Sequence, residues 1–246
     1  MPRFQSPGVS RPSLWQIELL QNRRAIVPLV VKLVYPGLTV AIMLLGGAPR
    51  HIAASVIVLL IAFMSVVDLG LAWVRDRRTG MLDRLALTPL SPRTIVLDRL
   101  RASVTMDLIQ TLPIVALLAV VFRSTGPAVV VLTATLAAAL VCSNVISLAV
   151  TLLPGGRREV ILYAVITVFA LLFLGGVFRP IGPAEGLLDG IAHLTPYAPL
   201  HQAVRLAMNE QTAWSSPEVL ADALALAAAA LALTWALARR LLRSWP

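Results

Sequence analysis

Apolar runs of about 20 residues recur along the 246-residue chain, near 26–46, 52–74, 103–122, 127–153, 159–177 and 218–238. A helix rising 1.5 Å per residue needs about 20 such residues to cross the roughly 30 Å hydrocarbon core of a bilayer. No water is present there to satisfy backbone N–H and C=O groups, so a helix, which pairs them internally, is the form these runs favour. The expectation is a single all-α integral membrane domain, 1–246, with six transmembrane helices. Hydrophobic residues make up 58% of the chain and charged residues 13%, so charge is concentrated in the connections. The first run follows Arg3, Arg11, Arg23 and Arg24 and so resembles a secretory signal, but it is longer than a signal's apolar region and no small-x-small cleavage site follows. It reads as the first span.

A formal net charge of +9 would point to nucleic acid in a soluble chain. Sorting the arginines by loop removes that reading. Loops on the side of the N-terminus carry Arg3, Arg11, Arg23, Arg24, Arg75, Arg77, Arg78, Arg84, Arg93, Arg99, Arg101, Arg157, Arg158, Arg239, Arg240 and Arg243. The opposite side carries Arg50, Arg123, Arg179 and Arg205. Positive residues accumulate on cytoplasmic loops, so both termini are expected in the cytoplasm and no nucleic-acid partner is required. The predominance of Arg over Lys, together with abundant Ala, reads as the codon bias of a GC-rich genome.

Residues 13–24, SLWQIELLQNRR, predict a short helix: Ser13 and Gln16 form a capping box. Leu14, Ile17, Leu19 and Leu20 make an apolar stripe that suits a helix lying in the membrane interface, with an ordinary cytosolic helix as the alternative. The single cysteine, Cys142, lies in an apolar run and reads as a packing residue.

Two connections are more than loops. In the first, RDRRTGMLDRLALTPLSPRT at 75–94, Leu82, Leu85 and Ala86 share a helical face with Asp83 and Arg84 opposite, and Pro89 ends the turn. Ser91 can then cap a new helix with Pro92 at its favoured first position. A short amphipathic helix, a proline break and a helix feeding the membrane make a firm cytoplasmic knob. In the second, at 178–217, Leu187, Leu188, Ile191 and Leu194 repeat at helical spacing, and after a TPYAP turn Leu200, Ala203, Val204 and Ala207 do so again. That pattern predicts an outer re-entrant helical hairpin between spans five and six, tolerated where protein covers its backbone.

Enzyme signatures are lacking. No G-x-S-x-G elbow, H-E-x-x-H, paired metal-ligand spacing or G-x-x-x-x-G-K-[ST] phosphate loop occurs, and His51, His193 and His201 are scattered over the outer side. No metal site and no catalytic residue are assigned, and no cofactor is expected to bind this chain.

The charged segment resembles the transmembrane subunits of ABC-2 type ATP-binding cassette exporters. In that family the cytoplasmic loop after the second span carries an acidic residue and then G-T-L-E-x-L-x-x-T-P. Here stand Asp76, then Gly80, Met81, Leu82, Asp83, Leu85, Thr88 and Pro89, with Met81 in place of Thr and Asp in place of Glu. The outer hairpin is similar to the family's as well, in Gly175, Gly176, Pro180, Pro183, Leu188, Ile191 and Pro196. The resemblance implies that Gly80 to Pro89 is a coupling helix docking in a groove of a separate ATPase subunit, where ATP and Mg are bound. It also implies a dimer with a second copy or a related permease. Drug or natural-product efflux across the cytoplasmic membrane, the activity behind antibiotic resistance, is the expected role. Export of a lipid or lipid-linked glycan is the alternative, and a membrane enzyme or a non-transporting membrane partner is the competing class.

Three charges fall within spans. Lys32, Asp68 and Asp107 all lie about 7–9 Å inside the cytoplasmic interface, counted at 1.5 Å per residue. Opposite charges at one depth invite pairing, and Lys32 can alternatively snorkel to the headgroups. Pro28, Pro36 and Pro113 read equally as plain kinks or gating elements.

Overall fold

The structure, a computed structural model, describes residues 26–81, 84, 91–154, 156–178, 187–210, 212 and 214–243, without the side chains of 26–29, 31–33, 92, 187–189 and 237–243. Among the described residues there are eight helices and no strand. They are α1 (Ile26–Leu45), α2 (Arg50–Arg78), α3 (Pro92–Val121), α4 (Gly126–Val150), α5 (Arg157–Leu174), α6 (Leu187–Ala192), α7 (Tyr197–Ala207) and α8 (Ser216–Arg243). Each of the six longer ones covers most of one of the six apolar runs. Four helices, α2, α3, α4 and α8, are long and apolar enough to cross a membrane, and α1 has a shorter apolar stretch over Val34–Leu45. The helix expected at 13–24 lies outside the described residues.

Helix ends depart from the apolar runs where capping chemistry intervenes. Helix α3 begins at Pro92, well before residue 103, because the Ser91 hydroxyl accepts from Thr94 N–H at 3.1 Å and Pro92 occupies the first turn. Its 30 residues span about 45 Å, more than the thickness of a hydrocarbon core, and its charges are concentrated in its first third. At the end of α2, Gly80 takes φ +65°, a left-handed conformation that costs glycine little, and its N–H bonds Arg77 O at 3.2 Å.

Helix α4 is the hub, packing against α8, α2, α3 and α7. Burial falls from 56% of the α4 span and 50% of α2 to 17% of α8, so α4 and α2 form the interior and α8 runs along the periphery. Three neighbouring polar side chains on α4 each serve a different helix. Ser143 shares a hydrogen bond with the Tyr197 hydroxyl of α7 at 3.0 Å, Asn144 Nδ2 donates to Asp107 Oδ2 of α3 at 2.8 Å, and Ser147 donates to Val66 O of α2 at 2.6 Å. Without a strong hydrophobic drive between helices in lipid, such bonds and close small-residue contacts hold a bundle together.

Close approach of α2 and α4 depends on Gly70. A Cβ there would lie 3.2 Å from Ser147 Oγ, already tight for a methyl group. Gly70→Leu is expected to overpack this seam at a cost of about 1–3 kcal/mol. The check is thermal unfolding of the detergent-purified protein, where an unchanged midpoint would contradict this packing.

Connections gather at two ends. At one, Arg50 donates to Met208 O at 3.2 Å, Asn209 Nδ2 to Phe122 O at 2.7 Å, and Ser124 to Ala207 O. At the other, the end of α2 meets both the start of α3 and the connection into α5, where a Cβ on Gly156 would lie 3.7 Å from an Arg78 guanidinium nitrogen.

Candidate functional site

The charged segment grows from the end of α2 and is clamped at its base. Leu69, Trp73 and Asp76 recur at three- and four-residue spacing and so share a face of α2. Leu69 and Trp73 pack with Val96, Leu100, Val145 and Leu148 in a small apolar cluster between α2, α3 and α4. Beside it, Asp76 Oδ2 accepts from Arg99 Nη2 of α3 at 2.5 Å, with side-chain exposures of 7% and 15%. A charge-assisted bond this short and this sheltered ties the two helices where the segment leaves and re-enters the bundle. Arg75 lies 3.7 Å from the same carboxylate but is 70% exposed, so screening leaves it a minor contributor.

Beyond the clamp, Thr79 Oγ1 donates to Asp76 O at 3.2 Å, and Arg84 N–H bonds Gly80 O at 3.2 Å. Asp76 and Gly80 of the expected coupling site are therefore placed together. Leu82, Asp83, Leu85, Thr88 and Pro89 lie outside the described residues. The segment returns at Ser91, whose capping role was legible in the sequence. Sequence reasoning counted Arg99 and Arg93 only as topology signals. Arg99 proves to be the partner of Asp76, and the Arg93 guanidinium stacks over the Trp235 ring of α8, 3.7 Å from its centroid.

The intramembrane charges separate into two descriptions. Asp107 is buried and bonded to Asn144, and Asp68 is half-buried on α2. The side chain of Lys32 lies outside the described residues, and so does the pair it was expected to make. Asn144 is the residue sequence reasoning missed. A single amide in the apolar run from Leu140 to Val150 was the available signal, since a buried amide in lipid needs a partner.

The hairpin expected on the outer side takes the form of two short helices joined by a turn ending at the buried Pro196, which precedes the first residue of α7. Gly175 and Gly176 each have a local reason. A Cβ on Gly175 would come within 2.7 Å of Thr195 Oγ1 and 2.9 Å of Leu171 O, and Gly176 has φ +68°. Pro180 and Pro183 lie outside the described residues. The expected two-faced character of the second helix is replaced by burial nearly all round: Tyr197, His201 and Gln202 are covered along with Leu200, Ala203, Val204 and Ala207. Period alone cannot register this, because the polar side of α7 is covered by neighbouring helices that lie far away in the chain. His201 Nε2 sits 3.4 Å from Ser55 Oγ, which also donates to Val177 O at 2.7 Å. In the hairpin turn, His193 Nδ1 bonds Asp222 Oδ2 of α8 at 2.7 Å and its ring stacks on Trp214 at 4.2 Å. Leu194, placed with the first helix by spacing, falls in this turn and is 72% exposed. Among the described residues no group of three His, Cys, Asp or Glu side chains could hold a metal ion.

Long apolar helices joined by polar clasps, with a clamped charged segment at one end, define a multi-pass helical membrane protein. A family model described as ABC-2 family transporter protein matches residues 46–239, a range that includes the clamped segment and the outer hairpin. The chain belongs to the ABC-2 transporter family and is a membrane permease of an ABC transporter, a class that works with an ABC ATPase subunit. No curated protein matches it.

Proposed function

We propose that this permease exports a hydrophobic or amphipathic substrate, a drug or natural product, outward across the cytoplasmic membrane. A separate ATPase subunit binds Mg and ATP and supplies the work. The observation that carries the reading is the Asp76–Arg99 clamp, which makes the base of the 75–94 segment rigid enough to transmit a push into α2 and α3. The coupling helix itself is Gly80 to Pro89. All six long helices span the membrane with both termini inside, supported by the arginines of 75–101 and 157–158 clustering at one end of the bundle. The permease works as a dimer with a second copy or a related permease. Val34, Leu38, Ile42 and Leu45 recur on α1, and Leu162, Ile166, Phe169 and Phe173 on α5, as exposed apolar stripes that partner or lipid can cover.

Affinity purification from cells co-expressing the chain with its candidate ATPase tests the reading. The expected result is a stable permease–ATPase complex whose ATP hydrolysis is stimulated by hydrophobic drugs and which accumulates them in inside-out vesicles. Stimulation by lipid-linked glycans alone would reassign the substrate, and failure to capture any ATPase would overturn the proposal.

A further inference from the structure

Helix α8 touches both functional regions. Near its start, Asp222 bonds His193 of the outer hairpin, and further along its length Trp235 receives the guanidinium of Arg93. Between these points α8 packs along α4 and touches α3 and α7, so one continuous element connects the base of the charged segment with the hairpin.

Neither member of the Arg93–Trp235 contact is accounted for by local stability. Arg93 stands in the first turn of α3, where a positive charge opposes the helix macrodipole. Its Nε is buried without a hydrogen-bond partner, and the electron-rich face of the indole adds stabilisation to the ion there. Trp235 is 53% exposed, so core packing does not dictate an aromatic ring at that position. An indole anchoring α8 at the membrane interface would be satisfied without an arginine on its face.

We infer that the Arg93–Trp235 clasp is a positioning contact that passes displacement of the coupling segment to α8 and so to the outer hairpin. The inference rests on the reading of 75–94 as the segment the ATPase pushes. Arg93 lies immediately beyond the Ser91 cap, so a push on the segment reaches it before the apolar part of α3. Coupling of this kind requires a chain of physical contacts whose equilibrium both ends bias, and α8 supplies that chain.

The test uses the permease–ATPase complex in proteoliposomes with Cys142→Ala and Leu194→Cys, the new thiol labelled with an environment-sensitive fluorophore. Leu194 is an exposed reporter in the hairpin turn. Addition of ATP with vanadate is expected to change the fluorescence of the parent complex. Trp235→Ala should reduce that change about tenfold, the scale of a coupling free energy between two sites, while ATP hydrolysis stays within about twofold. Trp235→Phe and Arg93→Lys, which keep a ring and a cation, should restore most of the response, and Arg93→Ala combined with Trp235→Ala should be no worse than Trp235→Ala alone. A full response in Trp235→Ala, or equal loss in Trp235→Phe, would overturn the clasp. No response in the parent complex would instead overturn the ATPase-driven reading on which it stands.

Discussion

Leu85→Asp is expected to abolish transport while leaving membrane insertion and ATPase activity in place. Leu82 and Leu85 lie three residues apart on one helical face of the proposed coupling helix. Docked in a groove of the ATPase, that face is removed from water, and an unpaired carboxylate put there would cost several kcal/mol of desolvation. Each 1.4 kcal/mol is a tenfold change in an equilibrium, so the docked state would be depopulated about a hundredfold or more. Hydrolysis by the ATPase would then continue at its uncoupled rate. Three measurements on one preparation decide it: permease abundance in membranes, ATP hydrolysis, and ATP-driven substrate accumulation. Transport at the parent level would remove the assignment of Gly80 to Pro89 as the coupling helix.

Asp76→Ala is expected to do comparable damage by a different route. It breaks the short bond to the Arg99 guanidinium, which is only 15% exposed and lies beside an apolar cluster. Breaking a sheltered ion pair on one side costs about 3–5 kcal/mol, whereas replacing both partners with apolar residues is often close to neutral. The double variant Asp76→Ala with Arg99→Leu should therefore recover much of the thermal stability lost by Asp76→Ala alone. Transport should stay low in both, because neither keeps the tie between α2 and α3. Melting curves and vesicle transport on the same preparations separate these effects. Equal stability of the single and double variants would show that Arg99 carries no penalty once Asp76 is gone, contrary to this account.

Much of the fold was legible because its signals are local. Apolar length located the six long helices, and Ser91 and Pro92 marked the true start of α3. Gly80 was recognised within the coupling motif, and its left-handed conformation supplies the physical reason for a glycine there. For the candidate site, residue types and order supplied the expectation but not the partners. Asp76 was singled out without Arg99, and Asp107 without Asn144. In a chain with twenty arginines, topology already explained each one, which concealed the two that also make specific contacts.

By itself the amino-acid sequence determined what depends on neighbours within a turn or two: helical periods, caps, breaks, the apolar lengths that suit a bilayer and the order of the family's motif. Only the tertiary structure decided which polar groups meet. Asp76 and Arg99 come from different helices, as do Asp107 and Asn144, His193 and Asp222, and Arg93 and Trp235. The same packing covered α7 all round and made α4 the hub. Such pairings depend on how helices cross and rotate against one another, which is set by small-residue contacts such as Gly70 against Ser147. A chain carrying one donor has many acceptors at the right depth, and only the packed bundle brings a particular one within bonding distance.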